Sequence, residues 1–518
     1  MSYRVVQERN GHHYLYEATG VWDPKTKNSR QKRKYLGVCD EDGNLLKATC
    51  RNRTIVVSRT MGPHSLLVQL LEDIGVHDRL VDAFGRSDAD LITAMAVMRV
   101  IRPGPLRQLE EQANECFIRE LLDADVDLDS RSLSRSLARI GNDLDRRRRF
   151  CSSMAADNGA IVFDLTSLQS SSRFLELLEY GAEYRHTGLP QVNLGMVHSL
   201  ESGLPFHYKL YPGSVSDVRT LRNLLAEIED MGMTDVEFVM DRGFYSKANI
   251  LDMLEHSMGF TMPIPFNRRE AKELMSASVK PHANTDNAHM FLGSVVRVHD
   301  SVVDIDDRTI RAVVYQDDDR RNDEIRTLFA RLDDFERAMR RTRWHPNIGK
   351  EVFAGSYRDL RALFDLSEAE DGTVRTRRRR NAITAKENRC GKLLLLTTSD
   401  DEWDGLLAKY RKRNDVEADF GMLKSDLEGG VKHLSSNESA EGLVFVEFVA
   451  LIARTELLNR IRNSDLHGKV WVPDVIARLN KLKITRIGDE WRLNEVTKKQ
   501  RTLYETLGAE PPSESYET

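Results

Sequence analysis

Four residues between positions 410 and 424 fall at spacings that put them on one helix face: Tyr410, Arg413, Glu417 and Lys424. At about 100° per residue they share an arc of about 60°, spread over about 21 Å of helix. An aromatic ring, a guanidinium, a carboxylate and an ammonium then point the same way. A packing face would be apolar there. This mixed face suits the gripping of a nucleic-acid backbone beside a metal site. The plainer alternative is a solvated helix supported by charge pairs, with Tyr410 half-buried.

Two more acids sit at telling places. Asp164 lies inside the apolar run Ile161-Val162-Phe163-Asp164-Leu165, a costly position for a charge unless it is paired or metal-bound. Asp241 ends the apolar stretch Val236–Met240 and opens the turn Asp241-Arg242-Gly243-Phe244-Tyr245. Strand ends of this kind carry functional groups in α/β sheets. Asp164, Asp241 and Glu417 can together hold two Mg²⁺ ions, or Mn²⁺ in their place, through hard oxygen ligands. Two ions about 4 Å apart suit in-line displacement at phosphorus, which needs positioning and charge neutralisation more than a histidine base. No strong Ser–His–Asp or Cys–His pattern competes with this chemistry.

The elements that must position these acids can be read from periodicity. Residues 1–60 alternate like short strands and form a small β-rich region with a basic patch: Lys25, Lys27, Arg30, Lys32, Arg33 and Lys34. Residues 61–157 repeat apolar positions at helical spacing. Residues 158–265 read as three strands joined by tight turns, then alternating helix and strand, which predicts a mixed sheet with helices on its faces. Residues 266–392 are polar, with hairpin-like pieces at Val295–Val303 and Thr309–Gln316, a charged helix near Asp323–Thr342 and a basic run Arg375–Arg380. Leu393–Thr397 gives one more buried strand before the helix of the stripe, within a segment spanning 393–438. Residues 439–518 read as helical, with a strand pair near Ile484–Leu493 and a disordered tail.

Composition sets the outer limits. The 518 residues are 40% hydrophobic and 30% charged, so the chain reads as soluble and globular with a large core. A net charge of −5 means that nucleic-acid binding, if present, rests on local clusters. Cysteines 39, 50, 116, 151 and 390 are scattered, which argues against a zinc ribbon or a disulfide framework and fits a reducing cytoplasm. The first residues do not form a signal peptide. The longest apolar run, near Leu443–Ala453, holds Glu447 and is too short to span a bilayer, so no membrane is expected as a partner.

At these residues the chain resembles the DDE insertion-sequence transposases of bacteria and archaea, in the group marked by a Y-(2)-R-(3)-E-(6)-K signature. Tyr410, Arg413, Glu417 and Lys424 fit that signature without a gap. Asp241-Arg242-Gly243-Phe244 fits the second acidic motif and Asp164-Leu165-Thr166 the first. The resemblance covers roughly residues 160–460. It implies a ribonuclease-H-like α/β fold, interrupted by a β-containing insertion at 266–392, with Asp164, Asp241 and Glu417 as the metal-binding catalytic triad. It implies DNA contacts for Tyr410, Arg413, Lys424 and Arg242. The partners implied are double-stranded DNA, as terminal inverted repeats and as target, and a second copy in a homodimeric synaptic complex at the nucleoid. Residues 61–157 would bind the DNA ends, and Lys32, Arg33 and Lys34 would contact backbone. Two other readings stay open: a transposase-derived DNA-binding regulator without catalysis, and a two-metal nuclease of the same fold.

Overall fold

The apolar alternation that begins at Ala160 builds one large mixed sheet. The computed structural model describes residues 2–9, 11–23, 28–48, 56–122, 127–155, 159–169, 176–181, 188–215, 217–414, 436–487, 490–513 and 515–516. Glu417, Lys424, Lys25, Lys27 and Cys50 lie outside them. The chain divides into two compact units. One comprises Met1–Ser58, Ile484–Asn494 and Ser513–Thr518, and the other Arg59–Lys483 and Glu495–Pro512.

The smaller unit is built on strands β1 (Ser2–Arg9), β2 (His12–Asp23), β3 (Asn28–Cys39) and β4 (Leu45–Ala48), paired in that order. The β2 and β3 strands are long, at 12 residues each. Lys32, Arg33 and Lys34 are exposed on β3, opposite Thr19, Ala18 and Glu17. A second small sheet contains β5 (Val56–Thr60), β17 (Lys483–Ile487), β18 (Glu490–Leu493) and β19 (Ser515–Tyr516). The expected strand pair near 484–493 is thus present. The tail read as disordered contributes β19, whose Tyr516 is the register partner of Trp491. A two-residue strand has no sequence signature of its own, and backbone pairing to a free edge is what orders it.

In the larger unit the sheet contains β6 (Ala160–Gln169), β7 (Gln191–Ser199), β8 (Pro205–Pro212), β9 (Glu237–Met240), β10 (Gly259–Pro263), β11 (Ala288–Phe291), β12 (Ser294–Ile305), β13 (Arg308–Asp317) and β16 (Lys392–Thr397). Their order is β11-β12-β13-β16-β10-β9-β6-β7-β8. The β6–β9 and β9–β10 pairs are parallel and the others antiparallel. Helices Asp217–Asp230 and Lys247–Glu255 cover one face, packing Leu221, Leu224, Leu225, Ile250 and Met253 against Ile161, Phe163, Phe238 and Met240. The helix over residues 403–414 covers part of the other, where Leu406, Leu407 and Tyr410 meet Val162, Val239, Val313 and Leu395. Burying each of those leucines is worth about 1.5–3 kcal/mol.

The 266–392 stretch has two parts. Strands β11, β12 and β13 extend the main sheet, because β13 pairs with β16 from Arg311–Thr397 to Gln316–Lys392. Beyond β13, the helix Asp318–Met339 and the hairpin β14 (Phe364–Glu368) and β15 (Val374–Arg378) enclose a separate core around Leu332, Phe335, Leu360 and Phe364. The chain leaves the sheet at the end of β13 and returns beside it at β16, where Gln316 faces Lys392.

The helices Gly62–Asp73, Arg86–Ile101 and Ser130–Asn142 gather around the long helix Asn437–Arg462. Gly141 and Gly442 mark the closest crossing. A Cβ on Gly141 would stand 1.8 Å from the Glu438 carbonyl oxygen, and one on Gly442 would stand 2.0 Å from that of Leu137. Only glycine allows these two backbones to approach so closely. A buried ion pair, Arg99 with Glu447, ties the same helix to Arg86–Ile101 and accounts for the acid inside its apolar run.

Candidate active site

The register of the parallel pair β6–β9 decides where the two strand acids go. Ala160, Ile161, Val162 and Phe163 face Glu237, Phe238, Val239 and Met240 in turn. The next residues in that register are Asp164 and Asp241. Side chains alternate along a strand. Phe163 and Met240 enter the core beneath the Asp217–Asp230 helix, while Val162 and Val239 enter the opposite one. Asp164 and Asp241 therefore belong to the face that carries the 403–414 helix. Both are half-buried.

Each acid has a local reason to stand where it does. Asp164 continues strand β6, opposite Met196 of β7. Asp241 keeps extended backbone angles (φ −78°, ψ 163°) and is followed by a 3₁₀ turn, Arg242–Phe244. Phe244 is buried and packs on Phe163 with ring centres 4.9 Å apart, which anchors the turn. Asn249 Nδ2 donates to the Phe244 carbonyl at 2.8 Å, and Ser246 caps the following helix by accepting from Asn249 N. Arg242 is left exposed.

The stripe helix reaches this face through Arg413. Its Nη2 lies 3.9 Å from Asp241 Oδ1. Arg413 is 4% exposed, stands 5.0 Å over the Tyr410 ring and donates to Tyr410 Oη at 3.4 Å. Tyr410 itself is 9% exposed and belongs to the core under the helix. The first half of the stripe is thus a packed face in which the tyrosine supports the arginine, and the expectation that such a mixed face does not pack is corrected. The apolar partner comes from the sheet, which the helix sequence does not reveal. Glu417 and Lys424, the second half, lie outside the described residues.

Four contacts missed by sequence reasoning hold the helix in place. Lys409 Nζ is 2.5 Å from Glu237 Oε2, at the start of β9, and also pairs with Asp401. Burial alone would lower the Lys409 pKa. Hydrogen bonds to Asp401 and Glu237 outweigh it and hold the ammonium above its usual value. Arg411 meets Asp317 at 2.9 Å, and Tyr315 Oη donates to the Trp403 carbonyl at 2.9 Å. The one available signal was spacing: Glu237 and Asp241 are four apart, as are Lys409 and Arg413, so one helical turn carries a cation for each acid.

Two aspartates on adjacent strands supply hard oxygen donors of the kind Mg²⁺ takes, and offer nothing to a thiolate- or imidazole-seeking metal. Among the described residues no third His, Cys, Asp or Glu completes a metal-holding group.

The family profile described as "Transposase DDE domain" matches residues 159–453, more than half of the chain. The chain belongs to the DDE transposase family. Enzymes of this family generally use divalent metal ions. No curated protein matches the sequence. A solved structure, the cryo-EM structure of a piggyBac transposase synaptic complex with hairpin DNA, is similar over 76% of this chain and 70% of that one. The identity is 9% and the TM-score 0.37, too low to carry residue roles across. Within the matched span the DDE transposase domain holds β6, β9 and the 403–414 helix, the three elements that bear Asp164, Asp241 and Arg413. No helix among the described residues is long and apolar enough to cross a membrane.

Proposed function

We propose that this DDE transposase binds the terminal inverted repeats of an insertion sequence and catalyses metal-dependent strand cleavage and strand transfer. The observation that carries the reading is the β6–β9 register, which sets Asp164 beside Asp241 on the sheet face that carries the 403–414 helix. In this reading Glu417, four residues past Arg413 in the sequence, is the third carboxylate of a ribonuclease-H-like triad, and the Tyr410-to-Lys424 spacing supports membership of the Y-(2)-R-(3)-E-(6)-K group.

Asp164, Asp241 and Glu417 would hold two Mg²⁺ ions. When bound, these supply charge neutralisation for the attacking and leaving oxygens of an in-line displacement. The chain's own groups do the rest. Asp164 and Asp241 would place the ions on this face of the sheet, beside the reacting phosphodiester. Arg413, pre-set on the Tyr410 ring, presents a planar fork that suits a phosphate. Lys424 holds the terminal phosphate as a point charge, Arg242 contacts the adjoining strand, and Lys32, Arg33 and Lys34 contact backbone. Two copies act in a synaptic complex.

The test is cleavage of inverted-repeat DNA taken from the flanks of the gene, with Mg²⁺ or Mn²⁺. Asp164→Ala, Asp241→Ala and Glu417→Gln should each lower cleavage by about a thousandfold or more, the scale of several kcal/mol of lost charge stabilisation. Cleavage that survives all three substitutions overturns the assignment.

A further inference from the structure

Two adjoining cavities lie beside the 318–391 lobe. The first, of about 940 Å³, is lined by Arg242 and by Lys386, Arg389 and Lys392. The second, of about 740 Å³, is lined by Lys272, Arg321 and His282, shares Arg389 and Lys392 with the first, and has no acidic residue in its lining. The other arginines of the first cavity are already matched: Arg320 with Glu324 at 2.7 Å and Arg331 with Asp359 at 2.8 Å. Among the described residues no carboxylate forms an ion pair with the six cations Arg242, Lys272, Arg321, Lys386, Arg389 and Lys392.

Three details mark groups at these cavities that a bound ligand would satisfy. Arg389 Nε is buried without a hydrogen-bond partner, with the guanidinium 5.8 Å from the centre of the Phe266 ring. Burial and the nearby Arg321 charge hold the Lys392 ammonium below its usual pKa. His282, 5% exposed, lies 3.1 Å by its Nε2 from the Val314 carbonyl, so Nε2 carries the proton and Nδ1 is an acceptor. That Nδ1 is buried with no partner. A phosphodiester has no hydrogen to give it. A nucleotide carries both the anion for the cations and an N–H or O–H for the histidine.

Arg242 is the chain neighbour of Asp241, so the first cavity begins beside the strand acids. The volumes match those of small-ligand pockets, about 300–1,000 Å³. They suit an unpaired strand tracked along a positive groove rather than a duplex. We propose that these cavities hold the unpaired DNA strand that leaves Asp164 and Asp241 next to the cut. This rests on the proposed function, and it names a strand path which that function does not require.

The experiment measures binding rather than cleavage. Full-length protein is titrated by fluorescence anisotropy against a labelled duplex bearing an oligo-dT arm, and against the same duplex with a blunt end. Wild type should prefer the forked DNA. Arg389→Ala combined with Lys392→Ala should weaken forked binding about tenfold and blunt binding less than about threefold. It should also flatten the salt dependence on the fork by about 1.4, from two lost single-strand phosphate contacts. Lys272→Ala, a substitution at an exposed position, should act in the same direction with no loss of fold. Arg375→Ala, exposed and outside both cavities, should bind as wild type. Equal losses on both substrates, or none, overturn the proposal. So does thymidine monophosphate binding that depends on Arg389 and Lys392 in a protein with no fork preference, because the site would then serve a small phosphate ligand. Protein that cuts nothing but keeps the fork preference rejects the proposed function and leaves the strand path standing.

Discussion

Asp241 Oδ1 and Arg413 Nη2 stand 3.9 Å apart, joining the end of β9 to a helix that also meets the sheet through apolar side chains, the Lys409 and Arg411 ion pairs and the Tyr315–Trp403 hydrogen bond. The two ends of this contact differ in exposure. The Asp241 side chain is 45% exposed and the Arg413 side chain 5%. Substitution at the two positions should therefore separate stability from chemistry.

Arg413→Ala should cost about 2–3 kcal/mol, from lost packing and the lost cation–π contact with Tyr410. Arg413→Lys keeps the charge but not the planar fork. It should recover most of the stability and little of the cleavage. Urea denaturation followed by single-turnover cleavage distinguishes the two. An Arg413→Ala protein as stable as wild type would show that the stack carries no weight.

Lys409→Met should loosen the helix itself. Lys409 and Glu237 have side chains 18% and 17% exposed, so removing the cation strands a mostly buried carboxylate. A loss of about 2–3 kcal/mol is expected, with faster amide exchange across residues 403–414. The paired substitution Lys409→Met with Glu237→Gln should be milder than the single one, because it removes the stranded charge. Hydrogen exchange read by mass spectrometry is the check, and unchanged exchange in Lys409→Met refutes the clamp.

The Tyr410–Lys424 stripe shows how far the sequence could be read. The helical phase of Tyr410 and Arg413 was legible, as were the strand positions of Asp164 and Asp241, because an apolar run that admits an acid is a local pattern. What covers a helix face is not local. Tyr410 and Arg413 are buried because Val162, Val239 and Leu395 lie beneath the helix, from strands far away in sequence. The same limit applies to β12 and β13. Their alternation announces strands, but only the pairing of β13 with β16 says that they extend the main sheet. The joining of Ile484–Asn494 to the N-terminal unit is likewise a long-range pairing with no signal at either end.

Acid should destabilise the fold through three buried histidines. Burial pushes the pKa of His64 down to about 3, and those of His198 and His282 to about 4. Their folded pKa values lie below the ordinary value of about 6.5, so the unfolded chain binds more protons between pH 6.5 and 4. Stability should thus be full above pH 6.5 and fall as pH drops, by about 1.4 kcal/mol per unit for each histidine that stays neutral. His64→Gln should flatten the profile by about one such contribution. Thermal melts across that pH range decide it, and a flat wild-type profile contradicts the burial of neutral rings.

Gly442→Ala should be among the most damaging small substitutions in the chain. Its methyl would meet the Leu137 carbonyl oxygen at 2.0 Å, backbone that cannot swing aside. The Ser130–Asn142 helix must then move off Asn437–Arg462, at a cost of about 3 kcal/mol or more. Gly468→Ala, which has open space around it but a φ of 71°, should cost less, about 1 kcal/mol. Reversal of that order in denaturant midpoints would remove the close crossing from the account.

The neighbouring of β13 and β16 has an evolutionary consequence. Since the chain departs and returns at adjacent strands, the 318–391 lobe is a parenthesis in the sequence. Lengthening it adds only slowly to the entropy of closing the excursion. Lineages can therefore enlarge, trim or replace it while the carboxylates keep their places. The short spans Ala160–Asp164 and Glu237–Asp241 have no such freedom, because a single inserted or deleted residue turns the acid to the opposite face. Gaps between relatives should crowd into the lobe and be absent from those two spans.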